Sequence, residues 1–515
     1  MAAGPASLMD LLRESARCFP ERQSLLLRGA VVTYGELWRD VCRAANALRA
    51  GGLAPGERVA LLIENSPEYV IAYYAVLQAG GVAVGLNTAM RGPELARNLA
   101  HCAASALIAM PGHPELPAAI TSGGTLRQIV TTPATAGIVP RAALTGTTTW
   151  HEWLSGADSA DAPAQIGPHA PAAIIYTSGT TGDPRGVTLT HRNLVANTQS
   201  ILAYLGLRET DRIVNVLPFY YSYGNSVLHT HLAAGASLVL ENSLTYPHLV
   251  VQAMANERAT GFSGVPSTVA LLLQRVNLGE YDLSSLRYLT QAGGAMAPAL
   301  TQRLRAALPA ARLFVMYGQT EATARISYLP PERLEDKLGT VGIAIPGVTI
   351  EVQDAQGQRV AAGVEGEVCV RGDNVMPGYW ENPAATARVL RDGWLHTGDM
   401  GHFDADGYLS LVGRSSDMIK TGAHRVSPLE IEEVVLELAG VAECAAVGVA
   451  DPILGEVVRV CVVPGEGTAI EPRTVQAHCR DRLAAYKVPK EVVFVATLPK
   501  TASGKIKRFM LKEAG

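Results

Sequence analysis

Apolar and polar residues alternate in blocks in the N-terminal part of the chain, where short β-branched runs are separated by amphipathic stretches. The blocks predict strands and helices in turn. In chain order a strand, a helix, a strand, a helix and a strand are predicted at residues 57–65, 66–81, 82–87, 92–105 and 106–110. Ser66 stands before the first helical run, where a hydroxyl side chain is typical of an N-terminal cap. This alternation implies a largely parallel sheet covered by helices.

The alternation resumes after residues 131–172, a segment rich in Thr, Ala, Pro and Gly that predicts a mostly irregular surface connection. The later blocks that predict strands or helices occupy residues 172–178, 189–205, 212–219, 226–240, 261–266, 285–294 and 312–318. After Thr340 short strands with turns indicate an antiparallel, β-rich portion. The predicted fold is α/β. Residues 1–413 form a large domain of helix-covered, mostly parallel sheets plus this β-rich portion, and residues 414–515 form a small, mobile α+β domain.

Composition agrees with a folded protein. The chain has 515 residues, of which 48% are hydrophobic, so disorder is excluded, and its formal net charge of -4 gives no basic field for nucleic acid or an anionic membrane. Two long uncharged stretches, 69–90 and 213–240, are interrupted by Gly, Asn, Pro or His and predict buried core rather than membrane spans.

The 7 cysteines lack any C-x-x-C spacing, so spacing predicts neither disulfides nor a zinc site. Without the apolar segment of a signal peptide, the chain is expected to be soluble and cytoplasmic.

A Gly/Ser/Thr-rich loop between a predicted strand and a predicted helix is the strongest local signal of a binding site. Glycine lets backbone N–H groups approach a polyphosphate, the hydroxyls add donors, and a basic side chain neutralises phosphate charge. The Walker A pattern G-x-x-x-x-G-K-[ST] does not fit this loop. The residues predicted to hold phosphate are Thr177, Ser178, Gly179, Thr180, Thr181, Gly182 and Arg185.

Further motifs follow this loop, and together they resemble those of the adenylate-forming superfamily: acyl- and aryl-CoA synthetases, nonribosomal peptide adenylation domains and luciferases. The resemblance covers nearly the whole chain, because the motifs occur in the family's order. They are Tyr317-Gly318-Gln319-Thr320-Glu321, Gly366-Glu367, Gly378-Tyr379-Trp380, Trp394-Leu395-His396-Thr397-Gly398-Asp399, Gly413-Arg414 and Pro499-Lys500-Thr501-Ala502-Ser503-Gly504-Lys505. The resemblance implies attack of a carboxylate on the α-phosphate of ATP, which gives an acyl-adenylate and pyrophosphate, and then transfer to a thiol.

The resemblance also implies roles for single residues. Glu321 matches a Mg²⁺-binding glutamate, which suits a hard cation with oxygen ligands, and Thr320 matches a threonine that contacts phosphate. Asp399 matches the carboxylate that accepts hydrogen bonds from the ribose hydroxyls. The other residues implied in nucleotide binding are Gly293, Gly294, Ala295, Tyr317, Gly318, Arg414 and Lys420. Lys505 matches the catalytic lysine that bridges carboxylate and α-phosphate, on a small domain that rotates between the half-reactions about a hinge at Ser416.

The acid pocket is predicted from the middle of the chain. Its candidate residues are Tyr220, Tyr221, Ser222, Tyr223, Gly224, Gly264 and Gln319. Ser222 lies near the place where relatives that activate α-amino acids carry an ammonium-binding Asp. No carboxylate occurs between Asp211 and Glu241, and an unpaired ammonium is expensive to bury, so an α-amino acid is disfavoured. The tyrosines either line the pocket or pack in the core.

Three departures from the family pattern keep alternatives open. Arg185 replaces the phosphate loop's usual lysine, Ser416 replaces the usual Asp or Lys of the hinge, and Ala423 stands where relatives have Gly beside the pantetheine tunnel. The leading hypothesis is a ligase that joins a carboxylic acid to coenzyme A with ATP and Mg²⁺. The alternatives are an enzyme that loads the phosphopantetheine of an acyl carrier protein, and a catalytically weak, nucleotide-binding regulatory protein. A luciferase-like oxidation shares the first half-reaction.

Overall fold

The structure is a computed structural model, and it describes residues 5–122, 124–133, 146–177, 184–414, 416–422, 424–465, 467–501 and 506–512. The α-helices of these residues are α1 (Leu8–Cys18), α2 (Tyr34–Ala50), α3 (Pro67–Gln78), α4 (Gly92–Cys102), α5 (Leu116–Ser122), α6 (Trp150–Ser155), α7 (His191–Leu205), α8 (Ser222–Ala233), α9 (Pro247–Asn256), α10 (Pro266–Arg275), α11 (Pro298–Ala307), α12 (Pro383–Val389), α13 (Pro428–Leu436), α14 (Pro472–Arg480) and α15 (Arg508–Lys512).

The β-strands of the described residues are β1 (Gln23–Leu27), β2 (Ala30–Thr33), β3 (Arg58–Leu62), β4 (Val82–Gly85), β5 (Ala104–Ala109), β6 (Gln128–Thr131), β7 (Thr148–Thr149), β8 (Pro171–Thr177), β9 (Arg185–Thr190), β10 (Arg212–Asn215), β11 (Ser237–Leu240), β12 (Gly261–Gly264), β13 (Tyr288–Gln291), β14 (Arg312–Tyr317), β15 (Ser327–Leu329), β16 (Ile343–Ala344), β17 (Val348–Gln353), β18 (Gly366–Gly372), β19 (Gly378–Tyr379), β20 (Leu390–Arg391), β21 (Trp394–Phe403), β22 (Leu409–Arg414), β23 (Ile419–Thr421), β24 (His424–Val426), β25 (Val441–Asp451), β26 (Gly455–Pro464) and β27 (Glu491–Phe494).

Two large sheets organise the N-terminal region. The first has the strand order β16-β15-β14-β13-β12-β10-β11-β1-β2, and its strands from β14 to β1 run parallel. The second has the order β19-β9-β8-β4-β3-β5-β6-β7 and is parallel from β8 to β7. Antiparallel strands occur at the edges, and helices connect the parallel strands. The predicted helix-covered, mostly parallel architecture is confirmed.

Two smaller sheets complete the chain. An antiparallel sheet with the order β17-β18-β21-β20, and β22 beside β21, is the predicted β-rich portion. The last sheet has the order β24-β23-β26-β25, with β27 parallel to β26, and it packs with α13 and α14 around an apolar core of its own. The α+β character predicted for the C-terminal part is therefore confirmed.

Helix α3 explains one of the two uncharged stretches. Its residues from Tyr69 to Gln78 are all buried, so no face of it requires charge. The Ser66 hydroxyl accepts a hydrogen bond from the Tyr69 N–H at 3.2 Å, which is the predicted cap. The described residues contain no helix that is both long enough and apolar enough to cross a membrane.

Some elements were not predicted from the hydrophobic pattern. Helices α1 and α2 begin with capping boxes, in which Ser7 pairs with Asp10 and Thr33 with Glu36, and these pairs were readable signals. The connection predicted to be mostly irregular contains β7 and α6, and α6 begins with a third capping box at Thr149. Elements as short as β7 and α6 carry too few apolar positions to show a period.

Candidate active site

Asp399 lies between a tyrosine and an arginine that come from other strands. The Tyr317 hydroxyl, at the end of β14, donates to Oδ2 of Asp399 at 2.6 Å, and Nε of Arg414 donates to Oδ1 at 3.1 Å. Burial and the adjacent carboxylate raise the pKa of Tyr317 well above its ordinary value, so the phenol remains a donor. The structure therefore brings three sequence-predicted site residues together.

A bulge in β21 projects Asp399 into this position. Cys369 of β18 lies opposite His396 of β21, and Glu367 lies opposite Met400, so the segment Thr397-Gly398-Asp399 faces a single residue of β18. Gly398 has a φ of 73°, which favours glycine at this point of the bulge. The Gly398 N–H donates to Oε1 of Glu367 at 3.1 Å. Glu367, on the neighbouring strand β18, thus stabilises the bulge through this hydrogen bond.

Glu321 lies in a short 3₁₀ turn, Thr320–Ala322, directly after β14. The turn folds back tightly, because a Cβ at Gly318 would lie 1.9 Å from the carbonyl oxygen of Ala324. Only glycine fits there. The Tyr379 hydroxyl donates to Oε1 of Glu321 at 2.8 Å, which orients the carboxylate.

Thr320 connects this turn to the predicted acid pocket. Its Oγ1 lies 3.1 Å from Oγ of Ser222, within hydrogen-bond distance. Ser222 is the first residue of α8, and the helix has no side-chain cap at that end. The positive end of the helix dipole therefore lies beside the turn that carries Glu321, where an anionic group is favoured.

The phosphate loop joins β8 to β9. Thr177 and Arg185 lie opposite each other at the mouth of this antiparallel pair, while Ser178, Gly179, Thr180, Thr181 and Gly182 lie outside the described residues. Burial and Glu321 raise the pKa of the Tyr379 hydroxyl, and the charge of Arg185 opposes that shift. The charges of Arg185 and Glu321 thus both affect the pKa of Tyr379, so all three residues lie in one part of the site.

The ends of β12 and β13 border the site on another side. Gly293, Gly294 and Ala295 follow β13, and the Gln291 side chain donates to the Gly294 carbonyl at 2.9 Å. Gly264, at the end of β12, lines an apolar cavity of about 30 Å³. The cavity extends from this edge between the sheet and its helices.

The candidate pocket tyrosines separate into two groups. The rings of Tyr220 and Tyr221 meet edge to face at 4.7 Å. Tyr223 is committed to the core, since its hydroxyl donates to the Thr290 carbonyl at 3.0 Å and the Arg325 guanidinium lies 4.1 Å from its ring centroid. Gly224 is required by packing, because a Cβ there would lie 2.2 Å from the Pro218 carbonyl oxygen. A pocket role for these four residues stays a prediction.

Two buried side-chain amide atoms at the site have no hydrogen-bond partner among the residues that the structure describes: Nε2 of Gln319 and Oε1 of Gln291. A buried polar group without a partner costs about 1–3 kcal/mol. A polar group of a bound substrate is the kind of partner that they lack. Gln291 was not predicted, although its place at the end of a strand beside Gly293-Gly294 was a usable signal.

The C-terminal candidates are only partly described. Ser416 is exposed and its hydroxyl lies 3.1 Å from Oδ1 of Asp417, and Lys420 is exposed on β23. Lys505 and Ala423 lie outside the described residues. The segment that carries Lys505 begins after Lys500 and ends at Ile506, and these two residues form an antiparallel bridge.

Comparison with protein families agrees with this geometry. The family model of the AMP-binding enzymes matches residues 12–380. The model of the AMP-binding enzyme C-terminal domain matches residues 430–505. The chain belongs to the AMP-binding enzyme family. The membership predicted from the motifs is confirmed.

Relatives of this AMP-binding enzyme extend over almost its whole length. A feruloyl-CoA synthase of Amycolatopsis sp. is 39% identical over 495 residues, which are 95% of each chain. An indoleacetate–CoA ligase of Aromatoleum aromaticum is 35% identical and covers 95% of this chain and 93% of its own. The crystal structure of an anthranilate CoA ligase with anthranoyl-AMP superposes with a TM-score of 0.91 at 28% identity, covering 99% of this chain and 97% of its own.

Three residues that hold other residues of this AMP-binding enzyme in place were assigned no role from the sequence alone. Tyr379 and Glu367 stand inside quoted motifs, and the structure shows that they orient Glu321 and the Asp399 bulge. Arg508 follows the Lys505 motif and forms a buried ion pair with Glu432. Their partners are distant in sequence, so spacing alone did not reveal them.

Proposed function

We propose that this AMP-binding enzyme joins an aromatic carboxylic acid to coenzyme A. It is an AMP-forming acid–thiol ligase, as its full-length CoA synthase and ligase relatives indicate. It forms an acyl-adenylate from the acid and ATP, releases pyrophosphate, and transfers the acyl group to a thiol. The proposal adds the class of acid, the acceptor and the residues that act.

The contact between Ser222 and Thr320 is the main observation that supports the proposed active site. It joins the predicted acid pocket to the turn that holds Glu321, so the acid and the phosphates can be bound side by side. Carboxylate and triphosphate repel each other, and catalysis must therefore rest on positioning and on positive charge. The uncapped end of α8 supplies part of that charge to the acid.

Glu321 is the residue that fits Mg²⁺. It is a half-buried carboxylate whose Oε1 is oriented by Tyr379, and oxygen ligands are those that Mg²⁺ prefers. When bound, Mg²⁺ would neutralise phosphate charge. Arg185 would supply a further positive charge to the phosphates, in place of the family's usual lysine.

Asp399 fits the ribose. Tyr317 occupies one acceptor direction of Oδ2 and Arg414 one of Oδ1. Each carboxylate oxygen keeps a second lone pair, so both remain able to accept from a ribose hydroxyl. Gly293, Gly294 and Ala295 would lie along the adenine, with no bulky side chain at the two glycines.

The C-terminal residues complete the cycle in this proposal. Lys505 bridges the carboxylate and the α-phosphate during adenylation. Residues 414–515 then rotate about Ser416, which withdraws Lys505 and presents another face of the domain for thioester formation.

An aromatic acid is favoured by two observations. The enzymes similar to this chain include ones named for feruloyl, indoleacetate and anthranilate groups. Tyr220 and Tyr221 lie edge to face directly before Ser222, where an aromatic ring of the substrate would find apolar ring partners. An α-amino acid is disfavoured, because no carboxylate between Asp211 and Glu241 could pair with its ammonium group.

A pyrophosphate-release screen tests the proposal. Hydroxycinnamic, arylacetic, benzoic, fatty, dicarboxylic and amino acids are each assayed with ATP and Mg²⁺, with and without coenzyme A, and products are identified by mass spectrometry. We expect an aryl acid to give the highest kcat/KM and its CoA thioester to accumulate. A preference for fatty or dicarboxylic acids would contradict the aromatic class. Thioester formed on a supplied carrier protein but never on coenzyme A would contradict the acceptor.

A further inference from the structure

Three side chains of types that can ligate a metal ion lie close together beside the Asp399 bulge. Glu367 and Cys369 project from one face of β18, and His396 lies directly opposite Cys369 on β21. One ligand atom from each residue lies within 4.8 Å of the other two. In the present arrangement Nδ1 of His396 is 2.9 Å from Oε2 of Glu367 and 3.4 Å from Sγ of Cys369.

These spacings suit one particular class of cation. Ligand atoms around a tetrahedral zinc ion lie about 3.3–3.7 Å apart, given bond lengths of about 2.0–2.3 Å. The separation of 3.4 Å between His396 and Cys369 lies within that range, and the separation of 2.9 Å between His396 and Glu367 lies just below it. One sulfur, one nitrogen and one oxygen are ligands typical of Zn²⁺ rather than Mg²⁺. The strands also fix the backbone from which all three side chains project, which reduces the cost of assembling the site.

We propose that Glu367, Cys369 and His396 form a binding site for Zn²⁺ or a similar borderline divalent cation, separate from the Mg²⁺ site proposed at Glu321. The thiol of Cys369 would give up its proton to solvent, and the imidazole of His396 would carry its proton on Nε2 so that Nδ1 can bind the metal. Water would take the fourth position. The cysteine spacing gave no sign of this site, because its ligands come from two strands.

Two features set the conditions of binding. Burial raises the pKa of the Cys369 thiol to about 12, with a smaller contribution from Glu367, so the metal must displace a firmly held proton. Arg391 lies 3.5 Å from Oε2 of Glu367, but half of its side chain is exposed, so it can turn into solvent. Entry is possible from the side of Glu367, whose side chain is 29% exposed.

Metal binding to Glu367, Cys369 and His396 would affect the nucleotide site through Glu367. The same carboxylate that would ligate the metal with Oε2 holds the Gly398 N–H with Oε1. Reorienting the carboxylate to bind the metal would shift the bulge on which Asp399 stands. Zinc at this site is therefore expected to weaken ATP binding.

Cobalt titration of the full-length, metal-free protein tests the site without any substrate. We expect one Co²⁺ per chain with a near-ultraviolet thiolate-to-cobalt absorption band that Zn²⁺ abolishes. Cys369→Ser should remove the band. Cys18→Ser, which changes an exposed thiol beside Glu14, and Cys461→Ser, which changes a buried thiol of the C-terminal sheet, should retain it. A band that persists in Cys369→Ser, or that is lost in Cys18→Ser, would overturn the proposal.

A second variant covers the case in which Cys369→Ser does not fold. His396→Gln keeps the thiol and should weaken Co²⁺ binding by about tenfold or more; unchanged affinity would also overturn the site. Binding of a fluorescent ATP analogue should weaken when Zn²⁺ is added to the wild type and not when it is added to Cys369→Ser. Equal weakening in both proteins would assign the zinc effect to another site. Because the cobalt band needs neither acid nor coenzyme A, its result is independent of the proposed reaction.

Discussion

The hydroxyl of Tyr317 donates a 2.6 Å hydrogen bond to Oδ2 of Asp399. The bond joins the end of a strand in the largest sheet to the bulge in β21, which belongs to a different sheet. Since burial keeps the phenol protonated, the bond is charge-assisted and fixes the carboxylate in one orientation. The acceptor that we assign to the ribose is thus oriented before any nucleotide binds.

Replacing Tyr317 by Phe should raise the KM for ATP and leave the fold intact. A hydrogen bond to a charged group contributes about 1.5–3 kcal/mol, so an increase of about tenfold or more is expected. The measurement is pyrophosphate release at varied ATP. Tyr204→Phe is the matched control, because that hydroxyl donates to the sulfur of Met316 and not to Asp399. An unchanged KM in Tyr317→Phe would show that Asp399 needs no orientation.

The sequence predicted helix α3 but not helix α6. Helix α3 was predictable because its apolar run is bounded by the Ser66 cap and followed by glycines. The short helix α6 was not, since Trp150 and Trp153 are its only buried positions among the six residues from Trp150 to Ser155. A period cannot be recognised from two positions. Its capping box at Thr149 was the remaining signal.

Candidate site residues could be named from the sequence where they lie within a contiguous motif. Glu321 and Asp399 each occur in one, so the resemblance proposed them as candidates. The pairings that orient them could not be found in this way, because Tyr379 is separated from Glu321 by 58 positions and Tyr317 from Asp399 by 82. Such pairings depend on how strands of different sheets meet.

Glu321→Gln tests the assigned cation ligand. Glutamine keeps an acceptor for the Tyr379 hydroxyl but loses the negative charge, so adenylation should slow by about 10²-fold and the Mg²⁺ concentration for half-maximal rate should rise. Pyrophosphate release at varied Mg²⁺ measures both. The control is Glu335→Gln, an exposed carboxylate paired with Arg305. A normal Mg²⁺ dependence in Glu321→Gln would remove Glu321 from the cation site.

Lys505→Ala should separate the two half-reactions. Without the lysine the repulsion between carboxylate and α-phosphate is unrelieved, so adenylate formation from acid and ATP should be nearly abolished. Thioester formation from preformed acyl-adenylate and coenzyme A should survive. Lys507→Ala is the control, because it changes a neighbouring charge. Equal loss of both half-reactions in Lys505→Ala would contradict the proposed domain rotation.

Arg508→Ala should destabilise the C-terminal part of the chain. The Arg508 guanidinium pairs with the Glu432 carboxylate, which is only 9% exposed and also accepts the Ala446 N–H. Removing the arginine leaves a buried charge unpaired, at a cost of about 3–5 kcal/mol. Urea denaturation followed by circular dichroism measures the loss. Lys512→Ala removes a more exposed pair with Glu456 and should cost less than about 1 kcal/mol; equal losses would contradict the burial argument.

The free energy of unfolding should decrease as the pH falls, because histidines are buried in their neutral form. Burial lowers the pKa of His229 from 6.5 to about 3. Its Nε2 faces the Asn225 side-chain oxygen at 2.9 Å and must carry the proton, and its Nδ1 accepts from the Tyr74 hydroxyl at 2.8 Å. A second proton would have to displace the tyrosine. The unfolded chain takes up that proton below about pH 6.5, so the contribution is complete above that pH and is lost progressively toward pH 3.

His229→Gln removes one side chain that takes up a proton when the chain unfolds in acid. Across pH 6 to 4 the free energy of unfolding of the variant should fall less steeply than that of the wild type, by about 1.4 kcal/mol per pH unit. Urea denaturation at several pH values measures the slopes. His169→Gln, at an exposed position, should leave the wild-type slope unchanged. Because His231, whose pKa is lowered by burial to about 4, remains in the variant, part of the acid sensitivity should persist. Identical slopes for His229→Gln and the wild type would mean that His229 is protonated in the folded protein.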